Sequence, residues 1–274
     1  MLIGHPVAHS LSPVMHNAAL DAAGSSVRYE ALDVLPDQLG DTLVALRADN
    51  AAGNFTIPHK MRALKSMQKL TGMALRVGAV NTFWVDGDGE LAGDNTDVAG
   101  FNGLATDVIG RIPENARVAV LGAGGAASAV VTALEDWPGA TATVHARDLS
   151  RAVAMRMRHS VVVRACSMRD PCLVEANVVV NTTPLGLNPD DAMPVDVERL
   201  SRDAIVLDLV YARDETAWVR MARSEGHLAA DGLRMLLHQG VSAYERWFEQ
   251  KPDAAVMWKV LAEWTGRDAG FPVG

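Results

Sequence analysis

Three polar clusters hold residues equipped for chemistry. In His9-Ser10-Leu11-Ser12-Pro13 two hydroxyls stand two positions apart. In Asn54-Phe55-Thr56-Ile57-Pro58-His59-Lys60 an amide, a hydroxyl and an ammonium occur within seven residues. Gly78-Ala79-Val80-Asn81-Thr82 and Gly93-Asp94-Asn95-Thr96-Asp97 together make the third cluster, of amides, hydroxyls and carboxylates. An ammonium can stabilise negative charge growing on an oxygen and supply its proton. Hydroxyls can hold an anion without adding charge. Each residue also has a bland role. Ser10 and Ser12 can cap a helix, Asn81 can turn the chain, Asp97 can be an N-cap, and Lys60 can sit on the surface.

A fourth motif is a glycine loop. Val118-Ala119-Val120-Leu121 runs directly into Gly122-Ala123-Gly124-Gly125-Ala126-Ala127, a G-x-G-x-x-A pattern between a strand and a helix. There Gly122 allows a tight turn, Gly124 lets the backbone approach a pyrophosphate, and Ala127 lets helix pack on strand. The helix N-terminus then offers free N–H groups and a positive dipole end to the phosphates. The next strand ends in His145-Ala146-Arg147-Asp148, with Arg151 one turn later. Arg147 and Arg151 can both reach a 2′-phosphate, which favours NADP. Asp148 keeps NAD open, because an acid at this place can bind the ribose hydroxyls or pair with the arginines instead.

Strands and helices must place these groups. Ser12-Pro13 opens a helix that Gly24 ends. Residues 27–34 have strand character, 36–46 helical periodicity, and 79–85 strand character before the hairpin turn Asp86-Gly87-Asp88-Gly89. Thr96-Asp97 starts a helix running to about Ile109. Apolar strands follow at Arg117–Leu121, 142–145, 161–164, Val178–Asn181 and Ile205–Asp208, with helices after the glycine loop and at Leu149–Arg158. Two helices close the chain, near 232–249 and 254–265. Strand–helix alternation of this kind predicts an α/β fold with mostly parallel sheets. A first strand at 1–4 is short for such a sheet, so either residues precede it or the strand is stunted.

Composition bounds the reading. The chain has 274 residues, 49% of them apolar and 21% charged, which excludes a disordered or collagen-like polymer. No uncharged apolar run approaches the ~20 residues of a membrane helix, and no basic, then apolar leader opens the chain. Lys and Arg number 25 against 33 Asp and Glu, a net charge of −8 that points away from nucleic acid as a partner. The two cysteines, Cys166 and Cys172, are spaced as neither a zinc pattern nor a disulfide framework. A reduced pair in a cytoplasmic protein is expected. There is no H-E-x-x-H run, and no metal is expected.

Taken together the motifs resemble the shikimate dehydrogenase family. The likeness covers nearly the whole chain. It includes the clusters above, Asn181-Thr182-Thr183-Pro184-Leu185-Gly186, Asp208-Leu209-Val210-Tyr211, and the later segment containing Gly232, Leu233, Met235 and Gln239. The resemblance implies an N-terminal α/β substrate domain completed by the C-terminal helices (1–97 plus 233–274) and a Rossmann NADP-binding domain (98–232). It implies NADPH-dependent reduction of 3-dehydroshikimate to shikimate, a step toward chorismate and the aromatic amino acids. By the same resemblance Lys60 and Asp97 are the catalytic pair. Ser10 and Ser12 hold the substrate carboxylate, and Thr56, Asn81, Asp97, Tyr211 and Gln239 are further substrate contacts. Gly122, Ala123, Gly124, Gly125 and Ala126 hold the pyrophosphate. Ala146, Arg147, Asp148 and Arg151 hold the 2′-phosphate, and Leu209 and Gly232 lie near the nicotinamide.

The sequence departs from the family pattern at four places. Asp148 replaces a common Thr, Arg213 a common Pro, and Leu187 and Leu209 stand where Met is frequent; the first strand is short. Three alternatives are weighed. An NAD-dependent quinate/shikimate dehydrogenase shares the lysine and aspartate, but Ser12, Arg147 and Arg151 argue against it. A non-catalytic regulator binding shikimate or dinucleotide is disfavoured by the Lys60/Asp97 pair. Methylenetetrahydrofolate dehydrogenase has no use for the serine pair or Gln239. Assembly has no signature in the sequence, and a homodimer is carried as an open expectation.

Overall fold

The structure is a computed structural model that describes residues 1–188 and 190–268. It divides into two compact units, one of Met1–Gly100 with Leu236–Glu263, the other of Phe101–Met235 with Trp264–Asp268.

The first unit contains β1 (Leu2–Gly4), α1 (Ser12–Ala22), β2 (Ala31–Asp33), α2 (Leu39–Ala48), β3 (Gly53–Phe55), α3 (Lys60–Ala63), β4 (Lys69–Leu70), α4 (Gly72–Val77), β5 (Thr82–Val85) and β6 (Leu91–Asp94). α5 (Asp97–Ile109) begins here. The sheet order is β2-β1-β3-β5-β6-β4. β1 pairs parallel with β2 and β3, and β4 with β6, while β5 runs antiparallel to both its neighbours. The sheet is therefore mixed around a parallel majority. Its core gathers Ile3, Leu39, Leu43, Leu46, Phe55, Val80, Phe83 and Leu91.

Three expectations shift here. The strand expected over 27–34 contracts to β2, because the Asn17 side chain takes up the Tyr29 backbone: its amide donates to the Tyr29 carbonyl and its oxygen accepts the Tyr29 N–H, each at 2.9 Å. The helix expected from residue 36 starts at Leu39, since the Gln38 side chain accepts the Leu35 N–H and holds a turn ahead of it. The strand expected from 79 begins at Thr82, after Gly78 ends α4 in the left-handed conformation (φ 70°).

The second unit contains β7 (Arg117–Leu121), α6 (Gly125–Leu134), β8 (Thr141–Ala146), α7 (Leu149–Arg158), β9 (Val162–Ser167), β10 (Val178–Asn181), β11 (Ile205–Asp208), α8 (Ala217–Ser224) and β12 (Ala229–Ala230). α9 (Leu233–Phe248) and α10 (Ala254–Thr265) follow. The sheet order is β12-β11-β10-β7-β8-β9, and every pair is parallel. The order reverses direction between β7 and β10, the switch point at which open α/β sheets bind ligands beyond their strand C-termini. β10 is buried along its whole length, as a central parallel strand covered on both faces must be. Among the described residues no helix is long and apolar enough to cross a membrane.

Candidate active site

In the first unit Lys60, the first residue of α3, donates from Nζ to Asp97 Oδ2 at 2.6 Å. Asp97 is the first residue of α5, and its side chain is only 4% exposed. The other carboxylate oxygen accepts the Asn81 amide at 2.9 Å. Asn81, just ahead of β5, also donates to Thr96 Oγ1 at 3.0 Å and accepts the Thr96 N–H at 2.7 Å. Asn95 accepts the Asp97 N–H and donates to the Ala79 carbonyl. The register Thr82↔Asp94 in the β5/β6 hairpin brings these two segments face to face. Behind them Asn54 on β3 donates to the Asn81 carbonyl and to Thr82 Oγ1, and Tyr29 donates to Asn54 Oδ1 at 2.7 Å. A buried polar network thus holds one carboxylate and one ammonium in a fixed pair.

The remaining first-unit candidates are placed separately. Ser12 begins α1, and Ser10 Oγ lies 3.2 Å from both the Ser12 hydroxyl and the Ser12 N–H. Leu11 is the formal N-cap and contributes no side-chain bond, so the serine pair is only loosely a cap. Thr56 lies one residue beyond β3, and Gln239 is buried on α9 and donates to the Leu236 carbonyl at 3.0 Å. Hydrogen bonds therefore join Lys60, Asn81 and Asp97 into one group, with Ser10 and Ser12 as a second. His16 is fully buried, stacked on Tyr29 with ring centroids 4.5 Å apart and 5.0 Å from Trp247; burial pushes its pKa down to about 3. It is a packing residue.

In the second unit Gly122 follows β7 with φ 117°, a conformation that L side chains rarely adopt, and a Cβ there would lie 2.5 Å from Thr182 Oγ1. Its N–H donates to the His145 carbonyl at 2.8 Å. Gly124 is the N-cap of α6 with no side-chain cap, and a Cβ on it would meet open space. The first-turn N–H groups of α6 have no intrahelical acceptor and point out of the helix end, the requirement for holding an anion. At the end of β8, Asp148 is the N-cap of α7. It accepts from the Ser150 N–H at 3.0 Å and the Ser150 hydroxyl at 2.6 Å. Those bonds, the Ser150 hydroxyl first, hold its carboxyl below the usual range. Arg151 lies 3.6 Å from the same carboxylate, and Arg147 and Arg151 are both exposed. The acid that kept two cofactors open is thus engaged in capping and ion pairing.

At the ends of β10 and β11 a further network forms. Asn181 donates to Asp208 Oδ1 at 2.8 Å, Thr216 donates to Asp208 Oδ2 at 2.8 Å, and the Val210 N–H meets Asp208 Oδ1 at 3.1 Å. Burial nevertheless raises the Asp208 pKa to about 6. Leu209 and Gly232 are brought together: a Cβ on Gly232 would sit 2.3 Å from the Leu209 carbonyl oxygen. Tyr211 is half-buried in the loop after β11.

Asn54, Asn95, Asn181 and Asp208 join these networks without standing out individually in the motifs that contain them. The available signal was an amide, hydroxyl or carboxylate at the end of a short apolar strand. There a buried polar group must find a partner.

Fold and site together define a dinucleotide-dependent oxidoreductase acting on a CH–OH group. The shikimate dehydrogenase substrate-binding domain model matches residues 2–83, and the shikimate 5′-dehydrogenase C-terminal domain model matches residues 232–262. A shikimate dehydrogenase (NADP(+)) of Methylocella silvestris is 40% identical over 266 residues, 96% of this chain and 94% of the relative. The crystal structure of the Thermus thermophilus shikimate 5-dehydrogenase in complex with NADP(H) and shikimate aligns with TM-score 0.83 at 35% identity, covering 96% of this chain and 97% of that one. A Corynebacterium glutamicum quinate dehydrogenase in complex with NAD aligns with TM-score 0.85 at 30% identity, covering 96% and 97%. The chain belongs to the shikimate dehydrogenase family.

Proposed function

We propose that this chain catalyses the reversible NADPH-dependent reduction of 3-dehydroshikimate to shikimate, with Lys60 as the group that moves the proton. The observation that carries the reading is the 2.6 Å Lys60–Asp97 pair, held from behind by Asn81. When bound, NADPH supplies the hydride. As the substrate carbonyl is reduced, negative charge grows on its oxygen; the Lys60 ammonium stabilises that charge and delivers the proton. In the oxidative direction Lys60 accepts the alcohol proton. Asp97 positions the ammonium, and Asp97 and Asn81 bind the ring hydroxyls. Ser10 and Ser12 hold the substrate carboxylate with neutral donors, and Thr56, Tyr211 and Gln239 complete the substrate contacts.

The second unit suits the cofactor. The uncapped start of α6 and the open space at Gly124 fit a pyrophosphate against the backbone of Gly122, Ala123, Gly124, Gly125 and Ala126. Exposed Arg147 and Arg151, beside Ala146 and Asp148, fit a 2′-phosphate and support NADP over NAD. The close approach of Gly232 to Leu209 offers a side-chain-free wall for the nicotinamide. A cytoplasmic setting is part of this reading, since two thiols stay reduced there. Light scattering distinguishes a homodimer from a single chain.

The test is Lys60→Ala. Steady-state kcat with shikimate falls by about 10²–10⁴, while NADP+ binding followed by fluorescence is retained. Full turnover in the variant would remove Lys60 from the mechanism.

A further inference from the structure

Two thiols and an imidazole converge inside the second unit, outside the residues assigned to substrate and cofactor. His145 comes from β8, Cys166 from β9, and Cys172 from a 3-10 turn (Pro171–Glu175). All three are buried. Cys166 Sγ lies 3.2 Å from Cys172 Sγ, and Cys172 Sγ lies 3.7 Å from His145 Nε2. The three donor atoms all fall within 4.8 Å of one another, the one such cluster among the described residues.

The imidazole is already set up as a ligand. Its Nδ1 lies 3.1 Å from the Ser167 carbonyl, an acceptor that keeps the proton on Nδ1. Nε2 therefore carries the lone pair; the Thr143 hydroxyl, 3.1 Å away, donates to it in the metal-free protein and rotates off when an ion is bound. A backbone carbonyl behind the far ring nitrogen is the usual outer partner of a metal-bound histidine. A tetrahedral ion with metal–sulfur bonds of about 2.3 Å and a metal–nitrogen bond of about 2.0–2.1 Å needs sulfur–sulfur separations of about 3.7 Å and sulfur–nitrogen separations of about 3.5 Å. The Cys172–imidazole separation of 3.7 Å already fits, the sulfurs must part by about half an ångström, and the Cys166 sulfur, within 4.8 Å of the imidazole nitrogen, closes on it as the ion is bound.

We propose that His145, Cys166 and Cys172 form a binding site for a single thiophilic cation of the zinc class. Each thiol loses its proton to solvent as a metal–sulfur bond forms, so one divalent ion releases two protons and no electron is transferred. A fourth position is left for water. The C-x5-C spacing did not mark the site, because its third donor comes from the neighbouring strand.

The test uses the full chain, reduced and metal-free, titrated with Co2+ under anaerobic conditions. One equivalent gives thiolate-to-cobalt charge-transfer absorption with the intense visible bands of a tetrahedral site, and Zn2+ bleaches them. Cys166→Ser and Cys172→Ser each remove the charge-transfer bands while circular dichroism and metal-free kcat stay at the wild-type level. Should either variant fail to fold, cadmium NMR of the wild-type protein counts the sulfur ligands directly, two being expected. Absence of the bands in the wild type, their persistence in both serine variants, or a cadmium resonance without sulfur ligation overturns the site. So does quantitative loss of free thiols to a disulfide on mild exposure to oxygen, before any metal is added.

Discussion

Replacing Asn81 by alanine removes all its side-chain hydrogen bonds to Thr96 and Asp97 at once from a residue that is 1% exposed. One of them ends on the Asp97 carboxylate, and a bond to a charged acceptor contributes about 1.5–3 kcal/mol. Another leaves the buried Thr96 N–H without its 2.7 Å acceptor, at a cost of about 1–3 kcal/mol. The expected loss is about 3–5 kcal/mol, within the roughly 5–15 kcal/mol margin of a folded domain, so the variant still folds. Asp97 then loses the contact that aims it, and a misplacement near 1 Å costs about 10²-fold in rate. Urea denaturation reads the first quantity and steady-state kcat the second, and KM for NADP+ stays unchanged because Asn81 belongs to the other unit. Asn81→Asp adds a discriminating comparison. It keeps an acceptor for the Thr96 N–H but sets a carboxylate against Asp97, so it regains stability only in part, and kcat stays low. A stability loss below about 1 kcal/mol for Asn81→Ala would refute the network's energetic role. A stability loss with wild-type kcat would refute its role in positioning Asp97.

Other outcomes follow from single contacts. Ser12→Ala removes a neutral donor to a charged group and raises KM for shikimate about 10-fold or more with little change in kcat; an unchanged KM contradicts the assigned substrate orientation. Arg147→Ala raises KM for NADP+ about 10-fold or more and leaves KM for NAD+ alone; equal effects on both cofactors would detach Arg147 from the 2′-phosphate. Asp208 has its folded pKa raised from 3.8 to about 6 by burial. Ionising it therefore disfavours the fold. Its contribution to stability is highest below pH 3.8, falls as pH rises to about 6, and is fully lost above, a change of about 3 kcal/mol. Urea midpoints of Asp208→Asn compared with wild type lack that decline between pH 4 and pH 7, and parallel profiles for the two proteins would contradict the burial argument.

The second unit was the more legible half. Arg117–Leu121, Leu149–Arg158, Val178–Asn181 and Ile205–Asp208 fall where uninterrupted apolar runs and helical periodicity place them. In the first unit α3, α4, β3, β4 and β6 are two to six residues long, too short for a period to register. The contraction of β2 turns on Asn17, which acts twelve residues away in sequence. The polar clusters were visible as residue types at strand ends. Their partners were not, because the Asn81–Thr96–Asp97 contacts depend on the cross-strand register Thr82↔Asp94. Asp148 illustrates the same limit: a lone acid beside two arginines admits several roles, and the Ser150 contacts that cap α7 exist only once the helix is formed.

The Asn17 clamp on Tyr29 has a consequence beyond the fold it shapes. By occupying that backbone with a side chain, it leaves β2, an outer strand of its sheet, only three residues long, and β4 at the opposite edge has two. An edge that short exposes few unpaired N–H and C=O groups, so a second chain finds almost no template for adding a strand. The expected consequence is that replacing Asn17 by leucine lengthens the exposed edge and lowers solubility at high protein concentration, which turbidity or light scattering reads directly.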